Sequence, residues 1–325
     1  RNSDSTCERN NSKKVFFVSS VPLWFYFHYL NMHNSVLGKD THYPEKYDAS
    51  LLFRIPRNDN RIRYGIEADH LPFIGYDVWN CYELSFLTNN GLPVSCILKL
   101  IYPADSKFLV ESKSLKLYLN SFNMEFTGET MSEAIANVTS IIKTDLTKLL
   151  ETEVKVALFS KSCASVVPFV GLQDKILTAM IPLDKLAATG FHHFVETPSL
   201  LKSELTELRH SYEFTTDLLR SNCPVTHQPD WGDLFVKMET NHLIDLTSIV
   251  AYLISFRKEN HFHEEVVEMI YSRFTEAFHP QKLMIAAMYT RRGGIDINPV
   301  RASEISLLDD AFSRMDVALA KTARQ

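Results

Sequence analysis

At 325 residues the chain exceeds what one hydrophobic core of ordinary size organises, so two modest units are expected. Hydrophobic residues make up 45% and charged residues 22%, which excludes a wholly disordered chain and makes a packed core available. The formal charge of −5 excludes the broad basic surface that neutralises nucleic-acid phosphates, and no direct nucleic-acid partner is expected. Cys7, Cys81, Cys96, Cys163 and Cys223 are odd in number and form no CxxC pair. They suggest neither a disulfide framework nor a zinc ribbon, and a reducing, cytoplasmic setting without a structural metal fits them best.

Residues 1–36 read as an atypical N-terminal extension. Within it Val15 to Leu30 is an aromatic-rich apolar run after Lys13 and Lys14, similar on its surface to a signal-peptide core. It is short for a bilayer span and is interrupted by Ser19, Ser20, Pro22 and His28, so no membrane association is expected. Tyr43 to Asp69 reads as an irregular lead-in, and Asn89-Asn90-Gly91 as a turn. Alternation over Val94 to Tyr102, and again over Phe108 to Tyr118, predicts antiparallel strands. A helix is predicted from Thr130, where Thr130-x-x-Glu133 forms a capping box. Ile135, Val138, Ile142, Leu146 and Leu149 line one of its faces, with Lys143, Asp145 and Lys148 on the other.

Val154 to Phe159 reads as a further strand closing a first half, residues 37–159. Residues 160–209 have weak periodicity and read as a divergent linker with an additional layer. The second half, residues 210–325, opens with Tyr212-Glu213-Phe214, followed by a polar loop from Ser221 to Gly232 and a strand from Leu234 to Met238. Helices are predicted from about Asp245, presenting Ile249, Leu253 and Phe256, and from about His263, presenting Val267, Ile270, Phe274 and Phe278. A strand from Leu283 to Tyr289 then leads into Arg291-Arg292-Gly293-Gly294. Paired strands with helices to one side point to an α+β fold rather than a doubly wound parallel sheet.

The chemistry concentrates between Ser221 and Gly232. Cys223 is a soft nucleophile in a polar loop, and Asp230, between Pro229 and Trp231, is a carboxyl group whose burial would raise its pKa. Together they suit addition to an electrophilic carbon with proton delivery to nitrogen, although a lone cysteine near an aspartate also serves structural loops. His263-Glu264 opens a helix, where a carboxylate can accept N–H groups or can simply complement the helix dipole. Phe262 is either a stacking face or core. Glu111-Ser112-Lys113-Ser114-x-Lys116 also reads as a solvated strand end with alternating charge, and Arg291 to Gly294 as a common turn. There is no GxGxxG fingerprint.

These stretches, taken together and in order, resemble the QueF family, the NADPH-dependent 7-cyano-7-deazaguanine reductases, in its long two-half form. Tyr47-Asp48-Ala49-Ser50-Leu51-Leu52, Leu71-Pro72-Phe73, Tyr82-Glu83-Leu84-Ser85 and the block from Glu111 to Phe122 are similar to its first half. Ser221 to Gly232, Ser255-Phe256-Arg257, Phe262-His263-Glu264 and the block from Tyr289 to Pro299 are similar to its second.

The resemblance implies tandem tunnelling-fold halves, each an antiparallel sheet backed by helices, with subunits joined as a homodimer. It also implies reduction of a nitrile to a primary amine by NADPH, on the route to the tRNA base queuosine. Cys223 would add to the nitrile carbon to give a covalent thioimide, with Asp230 as acid. Glu111, Ser112, Lys113, His263 and Glu264 would bind the deazaguanine substrate, and Lys113, Ser114, Arg292 and Gly293 the cofactor. One alternative is a purine-binding homologue of the same fold that has lost turnover, because only Leu218, Leu219 and Arg220 separate Asp217 from Ser221. Another is a pterin-related cyclohydrolase, which would require zinc ligands.

Overall fold

The architecture comes from a computed structural model that describes residue 44, residues 46–159 and residues 163–325. The expectations for residues 1–36, including the Val15 to Leu30 run, lie outside the described residues. Strands β1 (Ile74–Leu87) and β2 (Pro93–Pro103) form a hairpin closed at Gly91, whose φ of 86° is the left-handed backbone that the predicted Asn-Asn-Gly turn accommodates. They are followed by α1 (Ser112–Asn120), α2 (Met131–Leu150) and β3 (Lys155–Phe159). The second half contains β4 (Ser203–Asn222), β5 (Pro229–Ile244), α3 (Leu246–Ser255), α4 (His263–Phe278), β6 (Lys282–Tyr289) and β7 (Ile295–Ala302).

The two halves share one seven-stranded sheet in the order β3-β2-β1-β7-β6-β5-β4. Every neighbouring pair in it is antiparallel. They join where β1 pairs with β7, in a register running from Ile295 opposite Cys81 to Ala302 opposite Ile74. Both faces of the sheet are covered, which is why β6 and β7 are buried along nearly their whole length rather than in alternation. On β6, Leu283, Ile285, Ala287 and Tyr289 pack under α3 and α4, while Met284, Ala286 and Met288 face the opposite side with Phe169, Leu172, Phe312 and Leu319. The helices α1 and α2 cover a second core on the helix side, around Trp79, Leu98, Leu100, Ile295 and Ile297. No helix among the described residues is long and apolar enough to cross a membrane.

The capped helices form where predicted. Thr130 Oγ1 accepts the Glu133 N–H at the start of α2, and Asp245 accepts the Thr247 N–H at the start of α3. Two local expectations are corrected. Phe108 to Tyr118 is strand only at Phe108–Val110. Glu111 then accepts the N–H groups of Lys113 and Ser114 at 3.0 and 2.7 Å and starts α1. Leu115, Tyr118, Leu119 and Phe122 recur at helical rather than alternating spacing and fill the core. The loop predicted over Ser221 to Gly232 is confined to residues 223–228. Asp230, Trp231 and Gly232 already belong to β5, paired with Ser221, Arg220 and Leu219. The region read as a linker contains the short helix Leu183–Ala188, and β4 begins inside it at Ser203.

Between the two helix-side cores lies a buried cluster of charge. Arg61 grips Glu268 with two bonds of 2.8 and 2.7 Å, and Arg301 reaches Glu268 at 2.8 Å and Asp77 at 2.9 Å. Arg57 completes the cluster on Asp77. Arg57, Arg61 and Asp77 come from the first half, and Glu268 and Arg301 from the second. Desolvating so many ions is costly, and removing one partner leaves the others buried without compensation. Glu268→Ala is therefore expected to lower unfolding free energy by about 3–5 kcal/mol in a urea titration. A loss below about 1 kcal/mol, typical of an exposed pair, would show that solvent screens the cluster.

Candidate active site

A cleft of about 280 Å³ opens between the two halves and gathers most of the chemically active side chains singled out above. From the first half it is lined by Glu111, Ser112, Lys113 and Lys116, and from the second by Cys223, Asp230, His261, Phe262, His263, Glu264, Arg292 and Gly293. Ile55, Trp79, Leu109, Ile295 and Ile297 supply apolar wall. An apolar cleft with convergent polar groups is the usual form of a small-molecule site.

Cys223 sits where β4 ends, and it is buried. Its N–H donates to the Gln228 carbonyl at 2.9 Å, and its carbonyl accepts the His227 N–H at 3.0 Å, so the loop is closed on itself. The short approach is absorbed within the sheet. β4 stays continuous, with a register shift between Thr216 and Leu219, and regains pairing through Arg220, Ser221 and Asn222 before Cys223 enters the cleft. Asp230 follows on the partner strand, opposite Ser221.

Asp230 is buried between two cationic or potentially cationic groups. Its Oδ1 lies 3.0 Å from Arg292 Nη1 and its Oδ2 lies 3.3 Å from His263 Nε2. The His263 ring stacks on Tyr289 with centroids 3.9 Å apart and planes within 6°. Room for that stack comes from Gly232, directly opposite Tyr289 in the sheet, where an added Cβ would lie 3.1 Å from the tyrosine ring.

Glu264 is 3% exposed. Burial pushes its carboxyl up to about 8, Asp77 adds to the rise, and Arg57 and Arg301 oppose it. It lies one helical turn before Glu268, so the buried charge cluster stands behind it. A carboxylate in this position needs N–H donors, and the cleft is where they can arrive.

The Glu-Ser-Lys-Ser block is divided in its duties. Glu111 lines the cleft, yet both its carboxylate oxygens accept N–H groups of its own helix. Ser114 is fully buried and does not line the cleft. Its hydroxyl accepts the Phe53 N–H at 3.0 Å and donates to the Glu111 carbonyl at 2.7 Å, so it fixes the start of α1. Lys113, Lys116, Arg292 and Gly293 line one side of the cleft as a cationic rim, with Lys116 3.4 Å from Glu83 and Arg292 3.0 Å from Asp230. Gly293 and Gly294 have φ of 60° and 79°, and Arg292 N–H closes their turn on the Ile295 carbonyl at 2.9 Å. Among the described residues no group of three or more His, Cys, Asp or Glu side chains is arranged to hold a metal.

Sequence reasoning gave no site role to Lys116 and Tyr289, although both stand in its quoted blocks, and missed His261 and the charge cluster. Lys116 was findable, because it follows Lys113 by three residues on α1 once that segment is read as a helix. Tyr289 carries no local signal, since its partner ring belongs to a helix and its space comes from a glycine on another strand.

A family described as "Nitrile reductase, 7-cyano-7-deazaguanine-reductase N-term" matches residues 43–158, and one described as "QueF-like protein" matches residues 229–306. The NADPH-dependent 7-cyano-7-deazaguanine reductase of Psychrobacter cryohalolentis is 38% identical over 285 residues, which is 86% of this chain and 97% of that protein. The protein of the same name from Burkholderia pseudomallei is 41% identical over 296 residues, covering 91% of this chain and 100% of its own length. Identity at this level over most of both chains, with matches in each half, means that the chain belongs to the QueF family of NADPH-dependent 7-cyano-7-deazaguanine reductases.

Proposed function

We propose that this chain reduces the nitrile of 7-cyano-7-deazaguanine to the primary amine of 7-aminomethyl-7-deazaguanine through a covalent thioimide on Cys223. The observation that carries this reading is the meeting of Cys223, Asp230, His263 and Glu264 in one cleft with a cationic rim. Glu264 accepts the paired N–H groups of the deazaguanine edge, and Phe262 and the apolar wall take its faces. The Cys223 thiolate adds to the nitrile carbon, one C–N π bond becomes a nitrogen lone pair, and that nitrogen takes the proton from Asp230. Arg292 and His263 stabilise the carboxylate left on Asp230. The addition matters because a nitrile accepts hydride poorly until it becomes a protonated C=N bond.

NADPH, when bound, supplies the hydrides. The rim fits it without a Rossmann fold. Lys113, Lys116 and Arg292 offer charge to phosphate, and Gly293 lets backbone approach closely. After the first hydride adds to the carbon, Cys223 leaves as thiolate and frees an imine; the second hydride would add to the imine carbon, with the nitrogen taking its last proton from solvent. Ser112 and Lys113 border substrate and cofactor alike, and Glu111 and Ser114 hold the helix start that presents them. The reading includes a homodimer. Leu205, Leu208 and Leu243 are exposed on the far β4–β5 hairpin, and a second copy would cover them.

The direct test mixes purified protein with 7-cyano-7-deazaguanine and NADPH, follows cofactor oxidation, and looks for an adduct by intact mass. Wild type is expected to show both, and Cys223→Ala neither. Tight substrate binding with neither signal in the wild type would favour the non-catalytic purine binder instead.

Glu264 makes substrate binding pH-dependent. Below about 8 the free protein holds this carboxyl protonated, so binding must release a proton and the apparent Kd should fall as pH rises from 6 to 8, then level off. The same raised pKa contributes stability that is complete below the ordinary carboxylate range and disappears as pH rises through about 8. Glu264→Gln should flatten the binding profile in a fluorescence titration.

Gly232→Ala presses a methyl group against Tyr289 and should tilt His263 away from Asp230, lowering kcat about tenfold, or ~1.4 kcal/mol. Tyr289→Phe keeps the ring and should retain turnover. Equal loss in both variants would assign the effect to the tyrosine hydroxyl instead.

A further inference from the structure

We infer that His261, bridged between Glu259 and Glu265, is a positioning residue that ties the strand delivering Cys223 to the helix delivering His263 and Glu264. The inference rests on the proposed reaction and goes beyond it, because His261 contributes none of the steps given above. His261 lines the cleft and is 8% exposed. Its Nε2 lies 2.9 Å from Glu259 Oε2 and its Nδ1 lies 3.0 Å from Glu265 Oε1. A neutral imidazole has one N–H and would turn a lone pair toward one of these carboxylates, so both contacts are favourable only when the ring is an imidazolium.

Each arm of this bridge reaches a different part of the site. Glu265 Oε2 also accepts the Phe262 N–H at 3.2 Å, closing the first turn of α4 just around His263 and Glu264. Tyr64, from the first half, donates to Glu265 Oε1 at 2.6 Å and sets its ring edge-on to His261. On the other arm, the Glu259 carbonyl accepts the Asn222 N–H at 2.8 Å, and His261 N–H returns to the Asn222 carbonyl at 3.0 Å. Asn222 is the last residue of β4, immediately before Cys223. Glu259 Oε1 is held in turn by the Glu196 N–H at 2.9 Å. The nucleophile and the purine-binding carboxylate thus meet through one cation.

The groups facing His261 are Glu259, Glu265 and Tyr64, with Arg63 adding its charge beside Tyr64. Burial by itself pushes His261 down, but the hydrogen bonds and charges of Glu259 and Glu265 outweigh it and raise the ring to about 9. The sign follows from that rise. The clamp's contribution is complete below the ordinary histidine range and is lost as pH rises through about 9.

The test measures kcat and KM for wild type and His261→Gln from pH 7.5 to 9.5, with melting temperature and Cys223 adduct yield recorded in parallel. Wild type should lose kcat/KM through about pH 9. The folded variant should have kcat/KM reduced about tenfold at pH 7.5 and a flatter alkaline limb. A folded His261→Gln with wild-type kcat/KM and the same alkaline decline would overturn the inference. If His261→Gln does not fold, Glu259→Gln removes one arm only and should move the decline to lower pH, and an unmoved decline would count against the clamp. A wild type with no activity at all refutes the reaction rather than the clamp. The clamp is then read from melting temperature, which should fall further between pH 7.5 and 9.5 in wild type than in the variant, where only the titration of Glu264 remains.

Discussion

The pairing of β1 with β7 is the constraint on which the site depends. It is the seam where two chain segments more than 200 residues apart become neighbours in one sheet, from Ile295 beside Cys81 to Ala302 beside Ile74. Because the sheet continues through this seam, α1 and α4 lie on the same face, and the cleft between them is lined from both halves. Backbone hydrogen bonds hold the seam regardless of side chain, and the covered faces on both sides make a slip in register costly.

Charge follows from that geometry. Asp77 on β1 and Arg301 on β7 point to the helix face, where Glu268, Arg57 and Arg61 meet them. A cluster of three arginines and two carboxylates carries one excess positive charge, and Glu264 stands one turn away on α4. Ionised Glu264 would balance the cluster, yet burial works against ionisation. The carboxyl is held at about 8 by this balance, within reach of a change in its surroundings. The rigidity of the cluster and the responsiveness of Glu264 are two results of the same buried arrangement.

Much of the lining of the candidate site was legible locally because it is written in short blocks. Cys223 with Asp230, His263 with Glu264, and Lys113 and Arg292 each stand beside residues that suggest a role, and the cleft holds all of them. The helix starts at Thr130 and Asp245 were legible for the same reason, since a cap is a local hydrogen bond. Phe108 to Tyr118 was misread because Leu, Lys and Tyr alternate there at a period of two while also fitting a helix, and only the Glu111 cap decides between them. Asp230 was assigned to a loop because Pro229 precedes it and Gly232 follows two residues on, although Pro229 occupies the first position of a strand, where its missing N–H costs least.

By itself the sequence determined the kinds of chemistry available: a thiol, two carboxyl groups, a histidine and several cations, together with helices whose caps and apolar stripes are local. Only the tertiary structure decided how these groups are tuned. The stack of His263 on Tyr289 needs Gly232 on a third element, the bridge at His261 adds Tyr64 from the first half to its near neighbours Glu259 and Glu265, and the cluster behind Glu264 needs both halves. The physical reason is that burial and pairing of charge depend on distances between elements, which periodicity and spacing along one chain do not encode.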